Sequence, residues 1–249
     1  SINNFEEQVR LLSEVEEDAV DGIIISPLDL KGIREVVNRR KFNPEKTPIV
    51  TLNMDLEHSR RLFYVGPDYR KSGKLAAEVM IKLISYQGKV AFLTSDYRTE
   101  SIVEREKGFQ DKISCYPELK LIKVTVHDLA ELPQITRALL EKHPDLKGMV
   151  SSLPVHNDYR QALQELKENK LRVVAFDLTR ETRDCIKDDL IQAAILQRPF
   201  YQGYYVIRML FNYLVNGFRP EQERNCIALD IAMSENVDLI EDIEEGKYL

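Results

Sequence analysis

The feature that most constrains this chain is a regular alternation of short apolar runs with stretches of helical periodicity. The runs occupy residues 20–25, 48–52, 62–65, 89–93, 121–126, 147–150, 171–176, 191–196 and 226–231. Most of them are continuous, which is the pattern of strands buried on both faces of a parallel sheet. The helical patterns occupy residues 4–18, 69–85, 100–113, 132–142, 156–168, 179–188 and 200–216. Such an alternation predicts an α/β doubly wound fold.

The order of the elements at the two ends adds two further predictions. The first pattern, at residues 4–18, is helical, whereas a strand–helix alternation begins with a strand. We therefore expect that a first strand is missing from this chain. The acidic tail, residues 241–249, is predicted to form a short helix.

Composition narrows the class of protein. The chain has 249 residues, of which 43% are hydrophobic and 31% charged, as in soluble globular proteins of one or two domains. No apolar run approaches the ~20 residues that cross a bilayer, so no membrane partner is expected. Residues 1–10 are polar and do not form a signal peptide, although processing removes such segments. The net charge of −6 argues against direct nucleic-acid binding by this segment.

The cysteines and histidines give no sign of a metal site or another cofactor. Cys115, Cys185 and Cys226 are far apart, odd in number and outside any C-x-x-C motif. The four histidines lack the spacing of metal ligands. Unpaired thiols favour a reducing compartment.

Residues 61–80, RLFYVGPDYRKSGKLAAEVM, have the outline of a phosphate-binding loop because a strand, glycines and Gly73-Lys74 precede a helical pattern. A P-loop has four residues between its glycines and Ser or Thr after the lysine. Here six residues separate Gly66 from Gly73, and Leu75 follows Lys74. Pro67 also lacks the backbone N–H that would face a phosphate. The spacing therefore argues against a nucleotide site.

Polar side chains follow nearly every apolar run, where ligands bind in open parallel sheets. They are Ser26, Asn53, Asp55, Asp68, Ser95, Asp96, Ser151, Ser152, Asp177 and Gln197. Such a set suits a neutral ligand with many hydroxyl groups, because carboxylates and amides accept from or bridge hydroxyls. Residues of this kind also cap helices, and capping is the favoured interpretation for Asp68 and Ser95. For Asn53, Asp55, Asp177 and Gln197 the pattern leaves both interpretations open.

Several segments together resemble one family. QRPFYQGYYVIRMLFNYLVNG (197–217), VVAFD (173–177), REKGF (105–109), VDGIIISP (20–27) and YVGPDYRKSGKLAAEVM (64–80) are similar in order and spacing to motifs of type I periplasmic-binding-protein folds. Within that group the chain most resembles the effector-binding cores of lactose-repressor/galactose-repressor (LacI/GalR) transcription regulators. Sugar-binding proteins of ABC transporters come second.

The resemblance implies two Rossmann-like lobes with parallel sheets, joined by a three-strand hinge. The N-terminal lobe would comprise residues 1–67 and 198–230, and the C-terminal lobe residues 68–197 and 231–249. Residues 66–68 would then be a crossing between the lobes. Gly73 would be a packing glycine, where one helix approaches another closely.

The resemblance also implies a set of ligand contacts: Asn53, Asp55, Arg105, Ser152, Asp177 and Gln197. In this scheme the planar guanidinium of Arg105 donates hydrogen bonds from its forked N–H groups, and the Asp177 carboxylate accepts from two hydroxyl groups. Ser152 stands where many relatives carry Asn, so its contact would be shorter. The chain has no Trp. Tyr97 and Phe5 are the candidates for stacking against a sugar ring.

The leading functional hypothesis is a non-enzymatic, sugar-sensing effector domain of a LacI-type regulator. It would be a cytoplasmic homodimer that binds operator DNA through an N-terminal helix-turn-helix headpiece outside this chain. The alternative is an extracytoplasmic sugar receptor for an ABC transporter or a sensor kinase. A third hypothesis, an enzyme with Asp55 and Asp177 as paired carboxylates, is disfavoured because nothing marks an activated nucleophile.

Overall fold

The computed structural model describes residues 5–15, 20–28, 30–39, 46–96 and 99–244. The chain divides into two compact units, Ser1–Pro67 with Arg198–Ala228 and Asp68–Gln197 with Leu229–Leu249. It therefore passes from one unit to the other three times. The last passage follows residue 228, whereas the sequence predicted it after residue 230.

The helices and strands alternate along the described residues. The helices are α1 (Phe5–Glu14), α2 (Leu30–Asn38), α3 (Tyr69–Leu83), α4 (Glu100–Ile113), α5 (Leu132–Lys142), α6 (Asn157–Glu168), α7 (Arg180–Lys187), α8 (Pro199–Asn216) and α9 (Val237–Glu244). The strands are β1 (Ile23–Ile25), β2 (Ile49–Leu52), β3 (Tyr64–Gly66), β4 (Gly88–Ser95), β5 (Leu119–Val126), β6 (Leu146–Ser151), β7 (Arg172–Phe176), β8 (Ala193–Leu196), β9 (Arg224–Cys226) and β10 (Asp230–Ala232). A 3₁₀ turn, Leu129–Glu131, precedes α5.

Each unit has its own sheet. The first unit has the strand order β1-β2-β3-β9 and the second β10-β8-β7-β6-β4-β5. All pairs in the first sheet are parallel. The second sheet is parallel except for β10, which is antiparallel to β8. This confirms the α/β class, with sheets that are mainly parallel.

The single strand predicted over residues 226–231 is wrong, because the structure has two strands there. β9 joins the first sheet and β10 joins the second. The chain returns from the first unit before β10, which pairs antiparallel with β8.

Three smaller differences concern helices. α2 was not predicted, although Ile33, Val36 and Val37 have helical spacing and are buried. α9 begins at Val237, before the predicted 241–249, and residues 245–249 lie outside the described residues. The cap predicted at Ser95 is wrong, because the side chain that caps α4 is that of Thr99.

Both faces of each sheet are covered by apolar side chains. In the second unit one core cluster contains Phe92 and Val174, and the other contains Met149 and Leu163. In the first unit α1 and α2 contribute to one cluster, and α8 contributes Val206 and Leu210 to the other. Burial on both faces explains the continuous apolar runs of the sequence.

Residues 66–68 link β3 to α3, and Gly73 lies where α3 packs against α4. β3 ends at Gly66, and the Asp68 side chain caps α3 by accepting from the Lys71 N–H at 2.9 Å. A Cβ at Gly73 would lie well within 3.0 Å of the Arg105 carbonyl oxygen on α4. A Cβ at Gly108 would lie equally close to the Arg70 carbonyl on α3. The prediction of Gly73 as a packing glycine is confirmed, and this contact fixes the backbone of Arg105.

Replacing Gly73 by alanine is expected to lower the free energy of unfolding by about 2 kcal/mol, because the new methyl group forces α3 and α4 apart. Gly203→Ala is the matched control. Gly203 also lies inside a helix, but no described heavy atom comes within 4 Å of a Cβ built there. Gly203→Ala should raise the free energy of unfolding by up to ~1 kcal/mol through helix propensity alone. Urea unfolding of both variants checks this, and equal stability of the two would contradict the role of Gly73.

Candidate functional site

The second unit brings three of the predicted site residues together where its strands end. Asp177 directly follows β7, Gln197 directly follows β8, and Arg105 projects from α4. Two nitrogens of the Arg105 guanidinium lie 3.1–3.3 Å from the Asp177 carboxylate oxygens. Gln197 Nε2 donates to Asp177 Oδ1 at 2.5 Å. Asp177 therefore stands at the centre of a cluster that one Arg and one Gln support.

Aromatic rings hold the Arg105 guanidinium in place. Arg105 is only 5% exposed. Its Cζ lies 4.4 Å from the centroid of the Phe176 ring and 5.4 Å from that of the Tyr69 ring. Burial raises the pKa of the Tyr69 hydroxyl, so this group stays protonated at neutral pH. A cation between two rings adds attraction to the ion pair and fixes the plane of the fork.

The backbone of Asp177 has an uncommon conformation, which sets the direction of its side chain. Its φ is 65°, in the left-handed region, and its N–H donates to the Ile195 carbonyl at 3.0 Å. Non-glycine residues adopt this region rarely, Asn and Asp more often than others, and such positions cluster at functional sites. The carboxylate remains accessible, with 42% of the Asp177 side chain exposed.

Asn53 occupies the corresponding position in the first unit. It follows β2, its φ is also 65°, and its N–H donates to the Val65 carbonyl at 3.0 Å. Each residue thus follows the end of one strand, and its N–H donates to the carbonyl of the next-to-last residue of the parallel neighbouring strand. The two units therefore present one Asx side chain each through the same local geometry.

Asp55 has a different environment from the one that the sequence suggests. It is 4% exposed, and its carboxylate forms ion pairs with Arg61 and Arg224. Arg61 Nη2 and Arg224 Nη1 each lie 3.0 Å from Oδ2, while the Leu56 N–H donates to Oδ1 at 2.7 Å. These partners leave the carboxylate little capacity for a ligand. Asp55 therefore stabilises the segment after β2 from inside the first unit, and its predicted contact with a ligand stays a prediction.

Ser152 and the stacking candidates complete the predicted set. The Ser152 hydroxyl donates to the Leu93 carbonyl at 2.9 Å, so its lone pairs alone remain for a ligand. Tyr97 and the side chain of Phe5 lie outside the described residues. Sequence reasoning missed Tyr69 and Phe176, which orient Arg105. Phe176 stands inside the quoted segment VVAFD, but nothing in the sequence links it to Arg105.

Asp55 and Asp177, the carboxylates of the enzyme hypothesis, lie in different units, and each is paired with arginine. Among the described residues, no group of three or more His, Cys, Asp or Glu side chains could hold a metal ion. Over the same part of the chain, no helix combines the length and apolar character needed to span a membrane.

Residues 1–217 match the family described as "Periplasmic binding protein domain". The chain belongs to this family. The periplasmic-binding-protein domain described here is similar to a D-ribose/D-allose-binding protein of Pseudomonas aeruginosa, with 23% identity over 88% of this chain and 70% of the relative. Ribose and D-apiose import binding proteins are similar at 22–25% identity. This chain covers 64% of the length of the ribose import protein from Salmonella typhimurium.

Solved structures show the same fold. An ABC-transporter solute-binding protein of Burkholderia graminis in complex with D-arabinose superposes with a TM-score of 0.78. It is 26% identical, and the match covers 94% of this periplasmic-binding-protein domain and 82% of that chain. A putative LacI transcriptional regulator of Bacteroides fragilis has a TM-score of 0.79 at 19% identity, covering 95% and 83%. At that identity the second likeness extends to the fold alone.

Proposed function

We propose that this protein is an extracytoplasmic receptor for a pentose or a closely related aldose, delivering its ligand to an ABC transporter. The cluster of Arg105, Asp177 and Gln197 at the strand ends of the second unit is the observation that carries this proposal. Relatives named for ribose, allose and apiose support the choice of a small neutral sugar. Asn53 offers the corresponding strand-end side chain in the first unit.

The geometry of the second unit suits hydroxyl recognition. An ionised carboxylate has about four lone-pair sites on its two oxygens. Gln197 and one Arg105 nitrogen approach Oδ1, while Oδ2 receives two longer contacts of 3.3 Å, so Oδ2 keeps acceptor capacity. A sugar hydroxyl can donate to Asp177 and accept from the Arg105 fork. The charge-assisted hydrogen bonds formed in this way are stronger than neutral ones.

This proposal replaces the regulator hypothesis as the main interpretation. The regulator hypothesis rests on motif style, and its structural counterpart is a likeness of fold at 19% identity. The curated relatives named above are binding or import binding proteins. Operator DNA, a homodimer and a cytoplasmic location belong to the regulator hypothesis. The receptor proposal places the protein outside the cytoplasm and makes no use of operator DNA.

A thermal-shift screen tests the ligand. The arms are D-ribose, D-allose, D-apiose and D-arabinose, with sugar phosphates and a linear polyol as controls. A sugar at 100 times its Kd is expected to stabilise the protein by ~2.7 kcal/mol, because it binds the folded state alone. If none of the sugars shifts the unfolding transition at millimolar concentration, the proposed ligand class is wrong.

Cell fractionation of the full-length product separates the receptor from the regulator. The receptor is expected outside the cytoplasmic membrane. Retention of the full-length product in the cytoplasm, together with sugar-dependent binding to operator DNA, would overturn the proposed location and restore the regulator hypothesis.

A further inference from the structure

One buried hydroxyl group lies against both the segment that carries Asn53 and Pro67, the last residue before the chain first enters the second unit. Tyr64, on β3, is only 1% exposed. Its hydroxyl oxygen lies 3.0 Å from the Asn53 carbonyl oxygen and 2.8 Å from the Pro67 carbonyl oxygen. Pro67 is the residue after which the chain enters the second unit. A phenol has a single proton, so the hydroxyl donates to one of these two carbonyls at a time.

The surroundings of Tyr64 keep the hydroxyl at this position. The Arg224 guanidinium carbon lies 5.2 Å from the centroid of the Tyr64 ring, and Arg224 also pairs with Asp55 and Glu57. A Cβ at Gly66 would lie within 3.0 Å of the Tyr64 hydroxyl, so glycine leaves room for it. The ring is therefore held between β9 and the chain at residue 66.

The contact with Asn53 matters because Asn53 has a strained backbone. A residue at φ 65° stays in the left-handed region when its surroundings over-determine it. The Asn53 N–H is held by the Val65 carbonyl, and its C=O faces the Tyr64 hydroxyl. Both sides of the Asn53 backbone are thus fixed by two neighbouring residues of β3.

We propose that Tyr64 is a positioning residue that fixes the backbone of Asn53, and hence the direction of its side chain, through its hydroxyl group. The Pro67 carbonyl competes for the same proton, so the path of the chain at Pro67 is coupled to the support of Asn53. The effect on sugar affinity rests on the proposed function. The effect on the Asn53 backbone does not.

Tyr64→Phe is the decisive variant, because it keeps the buried ring and removes the hydroxyl alone. Amide hydrogen exchange of the ligand-free protein is the first measurement. The amides of Asn53 and Met54 are expected to exchange at least about fivefold faster than in the wild type, since one hydrogen bond is worth about that factor or more. Tyr205→Phe is the matched control, because Tyr205 is a half-exposed tyrosine in the same unit and its variant should exchange as the wild type does.

Gly66→Ala tests the same contact by a second route, since the added methyl group displaces the Tyr64 hydroxyl. It should also accelerate exchange at Asn53. Unchanged exchange at Asn53 in Tyr64→Phe, with the protein folded, overturns the proposal whatever happens to sugar binding.

A double-mutant cycle with the sugar identified in the screen is the second measurement. Tyr64→Phe is expected to weaken binding about tenfold in the wild-type background and less than twofold in an Asn53→Ala background. Equal losses in both backgrounds would show that Tyr64 does not act through Asn53. If the wild-type protein binds none of the sugars, the proposed function fails and the exchange measurement alone decides the role of Tyr64.

Discussion

Replacing Arg105 by alanine is expected to weaken sugar binding about 100-fold, because the variant loses the two-pronged donor and the support of Asp177. Arg105 is buried beside the Phe176 and Tyr69 rings, so truncating its side chain removes a guanidinium group that is held in place against the carboxylate. Arg105→Lys should recover only part of this loss, since an ammonium group keeps the charge but cannot form the planar fork. Isothermal titration calorimetry with the sugar found in the screen gives the dissociation constants.

Arg137→Ala is the control for this experiment. Arg137 forms an exposed ion pair with Glu165 in the same unit, with 54% of its side chain accessible, and exposed pairs contribute little. Its dissociation constant should equal that of the wild type. The measurement must be made on folded protein, well below the unfolding midpoint of each variant. If Arg105→Ala bound the sugar with wild-type affinity, the cluster of Arg105, Asp177 and Gln197 would not be part of the binding site.

Much of the fold could be predicted because each strand of the parallel sheets is buried on both faces. The runs at residues 89–93 and 171–176 fall on β4 and β7 for this reason. The segment 226–231 was misassigned, because an apolar run does not show which sheet its two halves join. α2 was missed because it is only 9 residues long and a glycine, Gly32, interrupts its pattern.

The site was harder to predict than the fold. Arg105 and Asp177 are 72 residues apart, and only the resemblance to a family suggested that they meet. Asn53 and Asp55 look alike in the sequence, since both follow the same strand. The structure separates them, because Arg61 and Arg224 surround Asp55 while Asn53 takes a left-handed backbone. Arg224 is 169 residues from Asp55, so no local pattern could reveal that pair.

Replacing Asp55 by alanine is expected to lower the free energy of unfolding by about 3–5 kcal/mol, because it leaves a buried charge without its partner. The Arg61 side chain is only 4% exposed and forms its closest ion pair with Asp55. Its other ion pair, with Glu223, is longer at 3.9 Å. Without Asp55, the buried Arg61 guanidinium keeps only this longer ion pair among the described residues. Urea unfolding measures the loss.

Two further variants decide whether the charge pair is responsible. Adding Arg61→Met to Asp55→Ala removes the uncompensated charge, so the double variant should regain part of the lost stability. Asp145→Ala removes an exposed carboxylate paired with Lys89 and should cost less than ~1 kcal/mol. If Asp55→Ala were as stable as Asp145→Ala while binding sugar less tightly, Asp55 would be a ligand contact and not the brace that the structure shows.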